Sequence, residues 1–201
     1  MSWNTDWFLL LNAPAAPGAA PLLIARLLAG LPPALAPALL VWLWVRRPDH
    51  RRAGLLAVLL GASFGQLANL ALGALWFEPR PFMAGLGHTL LDHAADNGFP
   101  SDHATLMFAL GSGLALTGAA RGAGLAVCLL GLGVGWARVY LGVHFPIDVL
   151  AGIPIGFAAG IAAWRIEPLL LRHALPPAQW LYGVALEALR LPPGVFPRNG
   201  R

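Results

Sequence analysis

The feature that most limits how this chain can fold is a series of five apolar stretches, at about 20–45, 54–77, 103–120, 122–140 and 145–165, joined mostly by short connections. A helix crosses the hydrocarbon core of a bilayer in about 20 residues, and each stretch meets or approaches that length. With 58% hydrophobic and 11% charged residues among 201, and a mean hydropathy of +0.67, the composition lies outside the balance of a water-soluble domain. The expected fold is all-α: a polytopic transmembrane helical bundle of five spans, or six if the C-terminal segment also crosses, with a short interfacial outer loop. Little chain remains for anything else. Residues 1–201 therefore read as a single membrane-embedded domain, with its core at about 20–170 and a C-terminal interfacial segment at about 171–201.

Arginine placement sets a direction. All thirteen basic residues are Arg. Arg46, Arg47, Arg51 and Arg52 follow the first stretch, Arg121 joins the third to the fourth, and Arg165 and Arg172 follow the fifth. Alternate crossings put these on one side, cytoplasmic by the positive-inside rule. The outer side receives Asp6, Glu78, Asp92, Asp96, Asp102 and Asp148, and with them Arg80 and Arg138, two exceptions that require a reason. The net charge of +4 thus reports topology, and clusters flanking apolar stretches imply no nucleic-acid partner. The lone Cys128 lies inside the fourth stretch and reads as packing. The first dozen residues carry Asp6 and no basic residue, and the apolar stretch starting near Pro21 lacks a convincing cleavage site, so the first stretch is expected to remain as a span.

Residues 1–19 read as a leader with no fold of its own, whose Trp3, Trp7 and Phe8 suit the membrane interface. Pro32, Pro33 and Pro37 are expected to kink the first span. Gly152, Gly156 and Gly160 form a smooth stripe for close helix approach, and Gly131 and Gly135 a similar surface on the fourth span. After Pro176 and Pro177, residues 178–190 suit an interfacial amphipathic helix through Trp180, Leu181, Val184, Leu186 and Leu189, with a sixth span as the alternative. The connection at 78–102 is about 25 residues long and hydrophilic, a length more often functional than idle.

Three clusters fall at the outer ends of the spans: Glu78-Pro79-Arg80-Pro81-Phe82, then Phe99-Pro100-Ser101-Asp102-His103, then Ala137-Arg138 with His144 and Asp148 beyond it. Alternating topology brings them to one membrane face. Arg80 and Arg138 offer planar, permanently charged donors for phosphate oxygens. Ser101 and backbone amides at the helix start, that of Asp102 included, add an anion site. His144 and Asp148 are four apart, so on a helical start the carboxylate holds one ring nitrogen while the other attacks, and His103 remains for proton transfer. The chemistry suggested is in-line attack on phosphorus through a phosphohistidine, with the arginines bearing charge. No cofactor is called for, and the outer carboxylates show no metal-ligand spacing. Read singly, Arg80-Pro81 is also a helix stop with a snorkelling side chain, and Ser101-Asp102 also an N-cap. Arg138, His144 and Asp148 are harder to dismiss, since ionisable groups at membrane depth are costly and usually partnered.

In these residues the chain resembles the phosphatidic acid phosphatase type 2 superfamily, whose blocks are Lys-x6-Arg-Pro, Pro-Ser-Gly-His and Ser-Arg-x5-His-x3-Asp. Here the last two read Pro100-Ser101-Asp102-His103 and Ala137-Arg138-x5-His144-x3-Asp148. Asp in place of Gly, together with Pro79-Arg80-Pro81-Phe82, Gly85-Leu86-Gly87 and His93-Ala94-Ala95-Asp96, is similar to the bacterial undecaprenyl-diphosphate phosphatase branch associated with bacitracin resistance. The resemblance implies a polyprenyl pyrophosphate lipid as substrate, recycled for cell-wall synthesis. It also implies His144 as nucleophile, Asp148 as its orienting partner, His103 as acid/base, and Arg80, Ser101 and Arg138 as phosphate ligands. Two departures remove family donors: Gly73 stands where the pattern has Lys, and Ala137 where it has Ser. Arg26, about 30 Å of helix from Arg46, is expected near the outer rim, where it either compensates or is an interfacial snorkelling Arg. A broader lipid phosphatase acting on phosphatidylglycerophosphate or phosphatidic acid, and a lipid transporter or scramblase whose rim arginines only bind headgroups, are the competing readings.

Overall fold

The computed structural model of the chain describes residues 3–191 and Phe196. Its helices are α1 (Trp3–Leu11), α2 (Ala19–Arg46), α3 (Asp49–Leu75), α4 (Asp102–Leu116), α5 (Arg121–Tyr140), α6 (Pro146–His173) and α7 (Leu175–Ala188), with a 3-10 turn at Pro81–Ala84. Of the C-terminal segment, 192–195 and 197–201 lie outside the described residues, as do Met1 and Ser2. Helices α2, α3, α5 and α6 are long and apolar enough to cross a membrane. Helix α2 continues through Pro32, Pro33 and Pro37 without a break.

The third expected span departs from the others. At 15 residues, α4 is about 22 Å long, short of the ~30 Å hydrocarbon core. Every residue from Met107 to Leu114 is buried, and α3, α5 and α6 pack around the helix. A helix enclosed by protein has no need to match the bilayer, so the five expected spans resolve into four full-length helices around one short central one.

The glycine stripe explains how α4 is enclosed. A Cβ at Gly152 would lie 2.7 Å from the Ser101 carbonyl oxygen, and one at Gly156 would lie 2.6 Å from Phe108 Cβ and 2.7 Å from the Thr105 carbonyl oxygen. Gly160 meets Ser112 in the same way, and Gly131 brings α5 against Met107 and Phe108. Gly135 instead gives room to Val149 of α6. Polar contacts also cross the packed helices; in the most central, the Thr105 hydroxyl accepts from the Asn69 amide at 3.0 Å and lies 3.2 Å from the Gly152 carbonyl oxygen.

The N-terminal end departs from the sequence expectation, while at the C-terminal end only the alternative of a sixth span is set aside. The leader is a helix fastened to the bundle: Phe8 is fully buried with its ring edge-on to Phe145, while Trp3 and Trp7 stay exposed. The Asn4 side chain accepts from the Ile147 amide, fixing α1 to the start of α6. At the opposite end, 14 residues make α7 too short for a sixth span; Pro176 and Pro177 occupy its first turn, where proline is tolerated. Leu186 packs inward, leaving Trp180, Leu181, Val184 and Leu189 exposed. Arg52, almost fully buried, stacks its guanidinium on Trp44 and Tyr182 and donates to the Trp44 carbonyl, tying α7 to α2 and α3.

Gly156→Ala is expected to destabilise the fold by about 1–3 kcal/mol through overpacking against α4. Gly30→Ala, with open space around its Cβ, is expected to leave the melting temperature in detergent unchanged or slightly raised. Equal melting temperatures for the two variants would show that the stripe is not a close contact.

Candidate active site

The three sequence clusters meet at one end of the bundle, where α3, the 78–101 loop, the first turns of α4 and α6 and the last turn of α5 converge. Two strips of the loop run antiparallel, bridged at Pro79 and Asn97, and the Asn97 side chain satisfies four backbone groups. Its amide donates to the Gly73 and Trp76 carbonyls at 2.9 Å each, and its oxygen accepts from the Glu78 and Phe99 amides at 2.9 and 3.1 Å. Arg80 is thereby delivered, extended, at the start of the 3-10 turn, with 4% of its surface exposed.

Arg80 is almost saturated. Its Nε donates to Asp96 Oδ1 at 2.8 Å, Nη1 to the Val143 carbonyl at 2.9 Å, and Nη2 to the Asn97 carbonyl at 3.0 Å. Nη1 also lies 3.0 Å from His144 Nε2. Nη1 is also 3.5 Å from Nδ1, so the guanidinium stands over the ring, and the ring proton is placed by Asp148: its carboxylate Oδ2 lies 3.3 Å from Nδ1, which leaves the lone pair on Nε2. The same carboxylate oxygen accepts the Phe145 amide at 2.8 Å, which caps α6 and aims Asp148 at the ring. Gly142 makes the approach possible. Its φ of 81° turns the chain out of α5, and a Cβ there would strike the His88 carbonyl.

His144 is 1% exposed. Burial first, then the Arg138 and Arg80 guanidiniums, hold its pKa well below the ordinary histidine range. The ring is therefore neutral at physiological pH, with a lone pair on Nε2. Arg138 is buried too; Nη2 reaches His93 Nε2 at 2.8 Å, and Nε has no hydrogen-bond partner among the described residues. An orphaned, buried guanidinium donor beside an occupied one fits an anion receptor.

Ser101 caps α4, and its own amide donates to the Asp148 carbonyl at 3.0 Å, joining the α4 and α6 starts. Asp102 does more than supply a backbone amide: its Oδ1 lies 2.8 Å from His103 Nδ1, so His103 presents Nε2 outward. The site therefore contains two hydrogen-bonded His–carboxylate pairs, with His93 and Asp96 a looser third at 3.8 Å. Among the described residues, no group of three or more His, Cys, Asp or Glu side chains is arranged to hold a metal ion.

The two departures from the family pattern have different meanings. Ala137 is fully buried with Ala25, Ala29 and Leu141, so this register faces α2, and a serine there would not add a donor beside Arg138. That corrects the expectation of a lost phosphate ligand. At Gly73 the space is filled: a Cβ would lie 2.9 Å from Asn97 Nδ2. Arg26 does reach the loop, donating twice to the Leu90 carbonyl at 3.1 and 3.3 Å, and so grips its backbone.

Sequence reasoning singled out neither the His93 and Asp96 contacts on the two arginines nor the role of Asn97. The signal for the first was the His93-Ala94-Ala95-Asp96 run within a long polar loop. A cavity of about 530 Å³ beside the site runs from Arg80, Asp96 and Asp102 down the α3 face past Gly73 and Asn69 to Gln66.

The family model described as the PAP2 superfamily matches residues 53–172, from α3 through α6. Undecaprenyl-diphosphatase BcrC of Bacillus subtilis is 36% identical over 132 residues, 66% of either chain. YbjG of Escherichia coli K12, whose name assigns the same activity provisionally, is 33% identical over 166 residues, 80% of either chain. A bacitracin transport permease protein, BcrC of Bacillus licheniformis, is 30% identical over 65% of this chain and 64% of its own. The chain thus spans about two thirds of both BcrC relatives. The crystal structure of LpxE from Aquifex aeolicus shares the fold, with a TM-score of 0.67 and 24% identity over 82% of this chain and 96% of that one. Its helices, its three clusters and these relatives agree: the chain belongs to the PAP2 superfamily.

Proposed function

We propose that this protein is a hydrolase of the bacterial cytoplasmic membrane that converts undecaprenyl diphosphate to undecaprenyl phosphate, through a phosphohistidine, at the outer face. The observation that carries the reading is His144, buried and neutral, with Nδ1 on a carboxylate and its Nε2 lone pair beside a guanidinium. The names of the relatives support the substrate.

The terminal phosphate enters between Arg80, Arg138 and the start of α4, where Ser101 and the Asp102 amide add donors. Arg80 turns its Nη1 from the ring to the phosphoryl oxygens, and the Nε2 lone pair faces phosphorus. Nε2 attacks phosphorus in line, and the bond from phosphorus to the bridging oxygen breaks. The departing lipid phosphate takes a proton from His103, while Asp148 stabilises the positive ring through Nδ1–H. His103, oriented by Asp102, then removes a proton from water; the water oxygen attacks phosphorus, the P–N bond breaks and inorganic phosphate leaves. Charge on the transferring group is neutralised by the guanidiniums. Arg26 contributes by holding the loop at Leu90.

Orientation follows from charge. Arg46, Arg47, Arg51, Arg52, Arg121, Arg165 and Arg172 gather at the end opposite the site, which the positive-inside rule makes cytoplasmic. The transport reading gains support from the name of the B. licheniformis relative, but headgroup binding alone gives no task to two His–carboxylate pairs.

Purified protein in detergent is expected to release phosphate from undecaprenyl diphosphate faster than from phosphatidylglycerophosphate or phosphatidic acid. The activity should survive EDTA and fall at least about 10³-fold in His144→Ala. Loss with EDTA would contradict the guanidinium mechanism. Lipid flipping without phosphate release, unaffected by His144→Ala, would establish a transporter. For orientation, Asp92→Cys in a Cys128→Ser background should react with a membrane-impermeant maleimide in spheroplasts, whereas His50→Cys should not; the reverse pattern would turn the site inward.

A further inference from the structure

The loop segment from His93 to Asp96 stands where substrate oxygens are needed. Arg80 Nε rests on the Asp96 carboxylate and Arg138 Nη2 on His93 Nε2, each at 2.8 Å. Arginine only donates, so His93 Nε2 accepts and its proton lies on Nδ1, which points at the Ala94 carbonyl at 3.2 Å. The loop thus offers the two guanidiniums one carboxylate oxygen and one imidazole lone pair, in place of two phosphate oxygens. Its ring lies 6.4 Å from that of His144, and the His93 side chain is 19% exposed against 1% for His144. Passing from one ring to the other leads from the buried nucleophile toward the mouth, the direction in which the leaving group must depart.

Resting on the diphosphate reading above, we propose that His93 is a substrate-contacting, specificity-determining residue: it yields Arg138 to the reacting phosphate and donates from Nε2 to the second phosphate, the one that stays on the lipid. A monophosphate ester has no such group, so the contact selects diphosphates.

To donate from Nε2 the ring takes up a proton when substrate arrives. In the empty site burial foremost, then Arg80 and Arg138, lower the His93 pKa, against the opposing pull of the Ala94 carbonyl and Asp96. Those groups, with the neutral His144 ring, are the charged and titratable neighbours that face it. A bound phosphate dianion engages both guanidiniums and raises the pKa. Affinity for diphosphate therefore falls as pH rises through the interval between the empty-site and bound-site values, the uptake of one proton being lost.

The test is KM and kcat for undecaprenyl diphosphate and for phosphatidic acid, measured across pH in wild type, His93→Ala and His93→Gln. In both variants KM for the diphosphate is expected to rise about 10- to 100-fold, the loss of one charge-assisted hydrogen bond, with the monophosphate ester changed less than about 2-fold. Gln cannot be protonated, so the pH dependence of the wild-type preference should flatten in His93→Gln. An unchanged preference in both variants, or equal losses on both lipids, would overturn the assignment, the latter by showing that His93 only shapes the loop. A wild type without preference for diphosphate would instead overturn the proposed function and this inference with it.

Discussion

The hydrogen-bonded line Asp148–His144–Arg80 sets the terms for everything around it. Three ionisable residues, each at most 4% exposed, meet at the end of an apolar bundle. Burial of this kind is tolerable only when each group finds partners. Those partners come from every direction: the Phe145 amide for Asp148, the Val143 and Asn97 carbonyls and the Asp96 carboxylate for Arg80. Burial first, and then both neighbouring guanidiniums, disfavour a charged His144, so the ring remains neutral. The same electrostatics that burden the fold support the proposed role of His144 as nucleophile.

Holding that line requires helices that approach more closely than side chains usually permit. The bare face of α6 at Gly152 and Gly156 lets α4 lie with its first turn against the first turn of α6, and the Ser101–Asp148 backbone bond joins the two starts. A short α4, enclosed on all sides, follows from the same contact. At the other flank, α1 and Asn12 brace the loop: the Asn12 amide donates to the His88 and Tyr140 carbonyls, and its oxygen accepts the His88 amide. The loop carrying His93 and Asp96 is therefore held at Asn12, Arg26 and Asn97, with the residues over the site between the last two.

Much of this was legible in the sequence, because the signals were local. Apolar length gave the helices, four-residue glycine spacing gave the packing face, and the Arg-x5-His-x3-Asp register gave a pair on one helical start. Less legible was anything set by long-range contact. Phe8 looked interfacial beside Trp3 and Trp7; the Val139 and Phe145 side chains that bury it come from distant parts of the chain. Ala137 looked like a lost ligand because the motif aligns it with one, whereas helical register turns it toward α2. His93 stood in a short run with Asp96 but nothing in that run named its partner, and Asn97 carried no signal, since loop residues acquire partners through tertiary geometry rather than period.

The central claim is that His144 forms a bond to phosphorus. The measurement that tests it most directly is rapid quenching in alkali of protein mixed with undecaprenyl diphosphate labelled in its terminal phosphate, using the His103→Ala variant to slow release. The account predicts protein-bound label that is stable to alkali, labile to acid and located on the peptide containing His144. Label on another residue, or phosphate passing to water with none ever retained on the protein, would contradict it.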